Sequence, residues 1–233
     1  MGTIPMIYDT RRGRLVNINE SLASPKLLLP FLRRMRDEVL QLRQQYLGPY
    51  ENSALQKDIE EYLFFSLVYA KLARRRLLTF PLRVMKSESP DFIIEEGAHR
   101  YGLEATKATP EAYQRWVKQA PQDDESYPLH RLKTSARLSN GPAVEREGAR
   151  LIQAAIVRKS ALLRLYRANT GSDHHHLIVK LQYAAIADTE NLLKVLWREG
   201  MIEGVAGFER IIISPSSTEF ILLDPETGGM RRL

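Results

Sequence analysis

The feature that most constrains the fold is a change of hydrophobic period near residue 77. From about Ser53 to Arg76, apolar side chains recur at steps of three and four, which predicts an amphipathic helix. The residues that follow contain three short apolar runs, which predict strands over residues 77–85, 90–95 and 100–108. Glu96-Gly97 indicates a turn between the last two strands. A helix followed by three consecutive strands favours a fold in which helices cover a sheet.

The rest of the chain adds further helices and strands. A first helix is expected from Pro25, with Ser24 as its cap, to Tyr46. After the three strands we expect a short helix begun by Thr109 (residues 109–119) and a third major helix (residues 144–168). A strand (residues 174–182), a fourth helix (residues 189–199) and a C-terminal hairpin (residues 208–223) are expected to follow. The last residues, PETGGMRRL, are expected to be frayed.

This order of elements predicts the fold class and the domain organisation. Helices and strands in this sequence indicate an α/β sandwich around a mixed central sheet. We expect an N-terminal helical extension at residues 1–50 and a main domain at residues 51–233. A long loop near residues 120–142 is expected inside the main domain, and loops of this length are often functional or mobile.

Composition excludes several kinds of site. The chain has no cysteine, which excludes disulfides, thiolate zinc sites and cysteine nucleophiles. No run approaches the ~18 apolar residues that a membrane span needs, and the N-terminus lacks an apolar signal core. We therefore expect a soluble, cytoplasmic protein without a membrane partner. No glycine-rich phosphate loop and no GxSxG motif are present.

The charge balance favours a phosphate-rich partner. Lys plus Arg outnumber Asp plus Glu by 34 to 28, which gives a formal net charge of +6. Neutralising phosphates with such side chains releases counterions and favours binding. The alternative is an ordinary basic surface, because many soluble proteins carry a similar charge.

Two carboxylates in neighbouring predicted strands form the strongest candidate site. Asp91 opens one strand and Glu104 lies in the next, thirteen positions later. Because a tight turn joins these strands, we expect the two carboxylates to lie side by side. Carboxylates on rigid strands can hold Mg²⁺, which also binds water and phosphate oxygens. Such an ion can polarise a phosphoryl oxygen and lower the pKa of a bound water, while a nearby lysine stabilises charge on the phosphate.

The stretch SPDFIIEEGAHRYGLEATKA resembles the signature of the PD-(D/E)xK nuclease superfamily, which is Pro-Asp, a variable gap, an acidic residue, any residue and lysine. Pro90-Asp91 matches the first half and Glu104 matches the acidic position. The resemblance implies a restriction-endonuclease-like fold and a metal-dependent nuclease, as found in restriction, defence or repair. It also implies that Asp91 and Glu104 bind Mg²⁺ or Mn²⁺, with the carbonyl of Ala105 as a further ligand. The implied partner is nucleic acid, with DNA favoured.

The lysine of the signature has two candidate replacements. Thr106 occupies the position two residues after Glu104, and Lys107 follows one position late. Strand alternation points Lys107 away from Glu104 unless a bulge intervenes. Lys159 falls on the apolar stripe of the third major helix, where a buried ammonium needs an anionic partner. Some members of the superfamily resemble this case, with the lysine on that helix. We favour Lys159 and keep both lysines as candidate catalytic residues beside Asp91 and Glu104.

The long helix before the strands is a candidate source of another metal ligand. An acidic residue from this helix often joins the metal in the superfamily, and the candidates here are Asp58, Glu60 and Glu61. Glu60 lies nearer to the apolar face than Glu61 by helical angle, so it is preferred. The alternative for all three is a solvated helix face.

Basic residues before and on the third major helix are candidates for gripping a phosphate backbone. We select Arg131, Lys133, Arg137 and Arg150, together with Gln153, because glutamines on this helix reach the site in some relatives. The alternative is a solvated positive surface. The run Asp173 to His176 invites a metal interpretation, but consecutive strand residues alternate faces, so a polar strand entrance is favoured.

Two functional hypotheses follow from the sequence. The first is a metal-dependent nuclease that hydrolyses phosphodiester bonds. The second is a non-catalytic nucleic-acid-binding or scaffold protein that retains the nuclease fold, and the displaced lysine is its main support. A homodimer or a partner protein is compatible with either hypothesis.

Overall fold

The computed structural model describes residues 7–9, 14–16, 18–46, 54–110, 142–181, 189–200, 207–215, 219–225, 227 and 229–233. The chain forms two compact units. The first contains Met1–Ala105 and Tyr166–Asp173, and the second contains Thr106–Leu165 and His174–Leu233. Both combine helices with strands, so the predicted α/β class is confirmed.

The strands that the structure describes in the first unit pair antiparallel in two sheets. The smaller sheet pairs β1 (Ile7–Asp9) with β2 (Arg14–Val16). The larger sheet contains β3 (Asn19–Leu22), β4 (Leu82–Lys86), β5 (Phe92–Glu96) and β6 (His99–Ala108), and each strand pairs with the next in this order. The last three residues of β6 belong to the second unit.

Two long helices supply most of the apolar core of the first unit. These are α1 (Pro25–Tyr46) and α2 (Ala54–Arg74), which pack against each other. The predicted start of α1 is confirmed, and the carbonyl of Ser24 accepts the first amide hydrogen bonds of the helix. In the core, Phe65 on α2 stacks on the ring of Phe92 with centroids 4.7 Å apart. This contact joins α2 to the sheet beside the Pro90-Asp91 step.

The N-terminal residues belong to the same unit as the strands of the motif. Residues 1–50 were expected as a separate helical extension, but β3 pairs with β4 over four residues from Asn19 to Leu22. The buried side chains of Leu22, Leu28 and Leu32 contribute to the core. The physical reason is pairing between residues distant in sequence, which local patterns do not reveal.

In its described residues, the second unit combines helices with four complete strands. Its elements are α3 (Pro142–Ser160), α4 (Leu163–Thr170), β7 (His175–Leu181), α5 (Thr189–Arg198), β8 (Arg210–Ser214), β9 (Ile221–Leu223) and β10 (Met230–Arg232). Strands β7 and β8 are parallel, whereas β9 pairs antiparallel with both β8 and β10. The last five residues of α4 belong to the first unit. All residues of β7 except Lys180 are buried, which is typical of a parallel strand.

Two predicted elements of this unit differ from the structure. The helix expected over residues 144–168 is divided into α3 and α4 between Ser160 and Leu163. The C-terminal residues expected to be frayed form β10, and the amide of Leu233 donates to the carbonyl of Phe220 at 2.8 Å. The predicted hairpin of β8 and β9 is confirmed.

Part of the sequence prediction lies outside the described residues. The loop near residues 120–142 and nearly all of the short helix at 109–119 fall there. Within the described chain, no helix is long and apolar enough to pass through a bilayer.

Candidate carboxylate site

Asp91 and Glu104 face each other at the β5–β6 pair. The register pairs Phe92 with Leu103, so one further step brings Asp91 opposite Glu104. The amide of Asp91 donates to Glu104 Oε2 at 3.3 Å, and the amide of Ala105 donates to Asp91 Oδ2 at 2.8 Å. The two acidic residues are only 2% and 4% exposed. Their carboxylates therefore lie side by side, as the strand spacing predicts.

A two-residue turn sets this register. Glu96 pairs with His99, so only the two residues between them reverse the chain. Gly97 has a φ of 61°, a left-handed conformation that residues with a Cβ rarely adopt. A slip of one residue would turn every side chain of the strand to the other face and separate Asp91 from Glu104.

Glu61 on α2 is a third buried carboxylate beside this pair. It is 4% exposed, and its Oε2 accepts a hydrogen bond from Lys86 Nζ at 2.6 Å. Its Oε1 lies 3.3 Å from Lys57 Nζ. Its negative charge is among the causes that raise the pKa of Asp91, after burial, so it lies near that carboxyl group. We call Glu61, Asp91 and Glu104 the carboxylate cluster.

These positions favour Glu61, rather than the preferred Glu60, as the acidic partner from α2. Glu60 is half-buried, and its Oε1 accepts a hydrogen bond from Gln56 Nε2 at 2.8 Å. Asp58 is buried, and burial followed by the charges of Asp58 and Glu61 raises the pKa of the Tyr62 hydroxyl. The helical angle predicted that Glu60 lies nearer to the core than Glu61, whereas Glu61 is the more buried of the two. Twelve residues of α2 are buried, so the buried surface of this helix is wider than a single apolar stripe.

Burial and like charges favour the protonated form of Asp91. Burial, then the negative charges of Glu61 and Glu104, raise the pKa of Asp91 well above its usual range, against the opposing effects of Lys86 and the Ala105 amide. Burial also raises the pKa of Glu61, but the charge and hydrogen bond of Lys86 outweigh it and hold that pKa below its ordinary value. Of the two neighbouring carboxyl groups, Asp91 therefore has the raised pKa and Glu61 the lowered one.

Lys86 places a buried ammonium group at the carboxylate cluster. Its side chain is 9% exposed. Its Nζ lies 5.0 Å from the ring centroid of Phe92 and 5.8 Å from that of Tyr62. Sequence reasoning missed Lys86, because the predicted strand ended at Met85. The available signal was a lysine at the end of the strand before the Pro90-Asp91 step, where antiparallel pairing brings it opposite Phe92.

The two lysines selected from the sequence lie in the second unit. Lys107 is half-buried, and its carbonyl accepts a hydrogen bond from Arg158 Nη2 at 3.4 Å. The same nitrogen donates to Thr106 Oγ1 at 3.2 Å. Lys159 is half-buried near the end of α3, whereas Ile156 one turn earlier is fully buried. The catalytic roles of Lys107 and Lys159 stay predictions.

The selected nucleic-acid contacts are only partly described. Arg150 is exposed and Gln153 is half-buried, both on α3. Arg131, Lys133 and Arg137 lie outside the described residues. Of the two members of this set that the structure describes, Arg150 is the one with an exposed side chain.

Tyr166 on α4 adds a buried hydroxyl near the cluster. It is 1% exposed. Burial, then the charges of Glu104 and Asp91, raise the pKa of this hydroxyl, so it remains protonated. Sequence reasoning assigned Tyr166 to the apolar stripe of a helix, because an aromatic residue at helical spacing usually indicates core packing.

A second polar cluster lies at the start of β7 in the other unit. His174 Nδ1 contacts Glu209 Oε1, and His176 Nε2 lies 3.6 Å from Glu209 Oε2. The hydrogen bond to His176, opposed by burial and supported by His174, lowers the pKa of Glu209 to about 2. These contacts agree with the polar strand entrance expected from the sequence.

Neither cluster has the arrangement of a preformed metal site. Over the described ranges, no group of three or more His, Cys, Asp or Glu side chains is arranged to hold an ion. In the carboxylate cluster, Glu61 is paired with Lys86, and Asp91 Oδ2 accepts from the Ala105 amide. Any ion must therefore compete with protein donors for these oxygens.

Comparison with known proteins yields no relative, since no family model, no curated protein and no solved structure matches this chain. Its candidate chemistry follows from the geometry of the carboxylate cluster.

Proposed function

We propose that this chain is a divalent-metal-dependent nuclease of the PD-(D/E)xK type. The observation that carries the proposal is the pair of buried carboxylates, Asp91 and Glu104, on adjacent strands at the Pro90-Asp91 step. Acidic residues are seldom fully buried unless they are paired or coordinate a metal. A third buried carboxylate, Glu61, lies beside them. Burial of three acidic side chains together costs folding free energy, which favours a functional role for the cluster over a purely structural one.

The oxygen donors of the cluster are of the chemical type that a hard divalent cation prefers, although the carboxylates are not preformed around an ion. Mg²⁺ and Mn²⁺ bind carboxylate, carbonyl and water oxygens. Asp91, Glu104 and Glu61 would supply the carboxylates, and the carbonyl of Ala105 would be a further ligand, as the resemblance implies. The like-charge repulsion that raises the pKa of Asp91 is relieved by a cation among the three groups. When bound, the ion polarises a phosphoryl oxygen and lowers the pKa of the attacking water.

The protein's own groups hold the carboxylates in place. The Ala105 amide fixes Asp91 Oδ2, and the Asp91 amide fixes Glu104 Oε2. Fixed donors of this kind reduce the reorganisation that accompanies charge development. Asp91 must release its proton before both of its oxygens can serve a cation, so the apparent ion affinity rises with pH.

The proposal includes the fold and the partner. The described elements follow the chain order α2, β4, β5, β6, α3, α4, β7. With α3 and α4 taken as one interrupted helix, this is the helix–strand–strand–strand–helix–strand order of the superfamily, which supports a restriction-endonuclease-like sandwich. The net charge of +6 suits nucleic acid as the partner. Exposed Arg150 on α3 is a proposed phosphate contact.

A cleavage assay on supercoiled plasmid and on single-stranded DNA and RNA tests this function. We expect cleavage with Mg²⁺ or Mn²⁺ that stops on chelation. Asp91→Asn and Glu104→Gln should lower the rate by about 100-fold or more, since each removes a group that acts on the reacting centre. Glu60→Gln removes one negative charge from α2 outside the carboxylate cluster, and its cleavage rate should stay within threefold of the wild-type rate. Cleavage that persists in chelator, or in Asp91→Asn, contradicts the proposal.

A non-catalytic nucleic-acid-binding protein is the second candidate. The observation that favours it is Thr106, which stands where the signature has lysine and accepts a hydrogen bond from Arg158. This candidate predicts nucleic-acid binding that is unchanged in Asp91→Asn, with no cleavage under any metal. The same set of variants separates the two functions.

A further inference from the structure

Three consecutive arginines stand at the C-terminal end of α2, which is the end remote from the carboxylate cluster. Arg74, Arg75 and Arg76 are all exposed. Their guanidinium groups form no hydrogen bond or ion pair with any other residue that the structure describes. Like charges on adjacent residues repel one another, and an anion between them relieves this repulsion. We call these three residues the arginine cluster.

The backbone alone closes this end of α2. The amide of Leu77 donates to the carbonyl of Leu72, and the amide of Arg76 donates to the carbonyl of Ala73, both at 3.0 Å. These are the two hydrogen bonds of a Schellman motif, which satisfies the last carbonyls of a helix. A basic residue in the last turn, such as Arg74, suits the helix dipole. Arg76 lies beyond that turn, so neither capping nor the dipole explains its side chain.

Arg76 occupies the position of this motif that favours glycine. Its φ is 56°, and it is the one residue other than glycine with a positive φ in the described part of the chain. A Cβ in this left-handed conformation raises the conformational energy, which is why glycine is the usual residue at this position. Such outliers are associated with functional sites. The local backbone disfavours a side chain here, so the arginine indicates a use for its guanidinium group.

The arginine cluster and the carboxylate cluster are connected by one helix within one unit. Glu61 and Arg74 are thirteen residues apart on α2. Since an α-helix rises 1.5 Å per residue, about 20 Å separates them along its axis. Phosphates on one strand of B-DNA follow at intervals of about 3.4 Å along the duplex axis. The distance between the two clusters therefore corresponds to about six base pairs.

The chemistry of the arginine cluster favours backbone phosphates over a membrane surface. The guanidinium group presents its donors in a planar fork that matches a phosphate. A protein segment that lies on a membrane also presents large apolar side chains for insertion. Between Arg74 and Phe80, no large apolar side chain is exposed. Nucleic acid is thus the better partner for this surface.

We propose that the arginine cluster is a second nucleic-acid contact, which binds backbone phosphates of duplex DNA about six base pairs from the phosphodiester at the carboxylate cluster. The inference rests on the proposed function for the partner and for the location of the scissile bond, whereas binding by the arginine cluster needs no metal ion. Because phosphate contacts carry no direct sequence information, this surface adds affinity without base preference.

The test measures binding of the full chain to a duplex of about 30 base pairs in chelator, over a series of salt concentrations. The test variant is Arg74→Gln/Arg75→Gln/Arg76→Gln. Each phosphate contact adds about 0.9 to the magnitude of the slope of log K against log salt. Loss of three contacts should lower that magnitude by about 2–3 and the affinity at about 0.1 M salt by about 100-fold.

A matched control removes the same net charge from elsewhere. Arg164, Arg198 and Arg231 are exposed arginines on three different elements of the second unit. The control variant Arg164→Gln/Arg198→Gln/Arg231→Gln should lower the magnitude of the slope by less than about 1. The comparison separates a localised phosphate contact from a general effect of net charge.

Arg76→Gly gives the sharpest single test, because stability and binding should change in opposite directions. Glycine suits the left-handed position, so the midpoint of thermal unfolding should rise by about 2–4 °C. The magnitude of the salt slope should fall by about 1. Arg76→Lys keeps the charge and should leave the slope within about 0.5 of the wild-type value.

The outcomes separate the inference from the proposed function. Equal salt slopes for the cluster variant and its control overturn the inference even if the wild type cleaves DNA. Arg76→Gly with a lower midpoint and an unchanged slope also overturns it, since the role of Arg76 would then be structural. Binding to phosphatidylserine vesicles that depends on the cluster, without such dependence for DNA, assigns the surface to a membrane instead. A wild type that binds duplex DNA through the cluster and cleaves no nucleic acid supports the inference and contradicts the proposed nuclease activity.

Discussion

Replacing Asp91 by Asn should make the cation-free protein more stable at neutral and alkaline pH while removing its proposed activity. In the wild type, burial and the charges of Glu61 and Glu104 disfavour the ionised form of Asp91. An Asn at this position keeps the hydrogen bond from the Ala105 amide, because its side-chain oxygen is an acceptor. The substitution therefore removes an unfavourable charge while the Ala105 amide keeps its partner.

The magnitude follows from linkage. The pKa of Asp91 is higher in the folded state than in the unfolded chain. The contribution of Asp91 to the free energy of unfolding is therefore fully present at pH values below the ordinary pKa of aspartate, and it is lost as pH rises through the raised pKa. Each unit of difference corresponds to about 1.4 kcal/mol. We expect Asp91→Asn to raise the free energy of unfolding at pH 8 by about 1–2 kcal/mol, which is in the range of a single stabilising substitution.

Urea unfolding in chelator at several pH values measures this effect. The difference between Asp91→Asn and the wild type should approach zero near pH 4 and grow as pH rises, by the linkage just described. Glu60→Gln, which removes the same charge from a half-buried position, should change stability by less than about 0.5 kcal/mol at every pH. A variant that is less stable than the wild type at pH 8, or a difference that does not depend on pH, refutes the reasoning.

Two further changes test the core and the second polar cluster. Phe92→Ala should lower the free energy of unfolding by about 3–5 kcal/mol, because Phe92 is fully buried and stacks on Phe65 at 4.7 Å; a change below about 1 kcal/mol in urea unfolding contradicts this packing. The pKa of Glu209 is lowered to about 2 from an ordinary value of 4.5, so its stabilising effect is present above pH 4.5 and is lost as pH falls toward 2. Since the Glu209 side chain is 43% exposed, solvent screening limits this effect to about 1 kcal/mol or less. Glu209→Gln should therefore reduce the loss of unfolding free energy between pH 4.5 and pH 2. A loss equal to that of the wild type argues against the contact with His176.

The elements with local signals were predictable from the sequence. The start of α1 follows from Ser24 before a helix-initiating Pro25, and the β5–β6 hairpin follows from Gly97 between two apolar runs. The division between α3 and α4 was not predictable, because no glycine or proline marks it. Strand β10 was missed because it is ordered by pairing with β9, although its own residues resemble a frayed terminus.

The same distinction holds for the candidate site. Asp91 and Glu104 could be placed together from the strand period and a tight turn, which are local. Glu61 and Lys86 could not, because their approach depends on how α2 is rotated against β4. The helical angle selected Glu60, since an apolar stripe locates one face of a helix and α2 is buried over a wider surface.

The most direct test of the central claim is anomalous diffraction from a crystal of the full chain soaked in Mn²⁺. We predict one strong anomalous peak within about 2.3 Å of carboxylate oxygens from both Asp91 and Glu104, a distance typical of small divalent cations on oxygen. No peak at these residues at saturating Mn²⁺, or a peak bound by only one of the two carboxylates, contradicts the account.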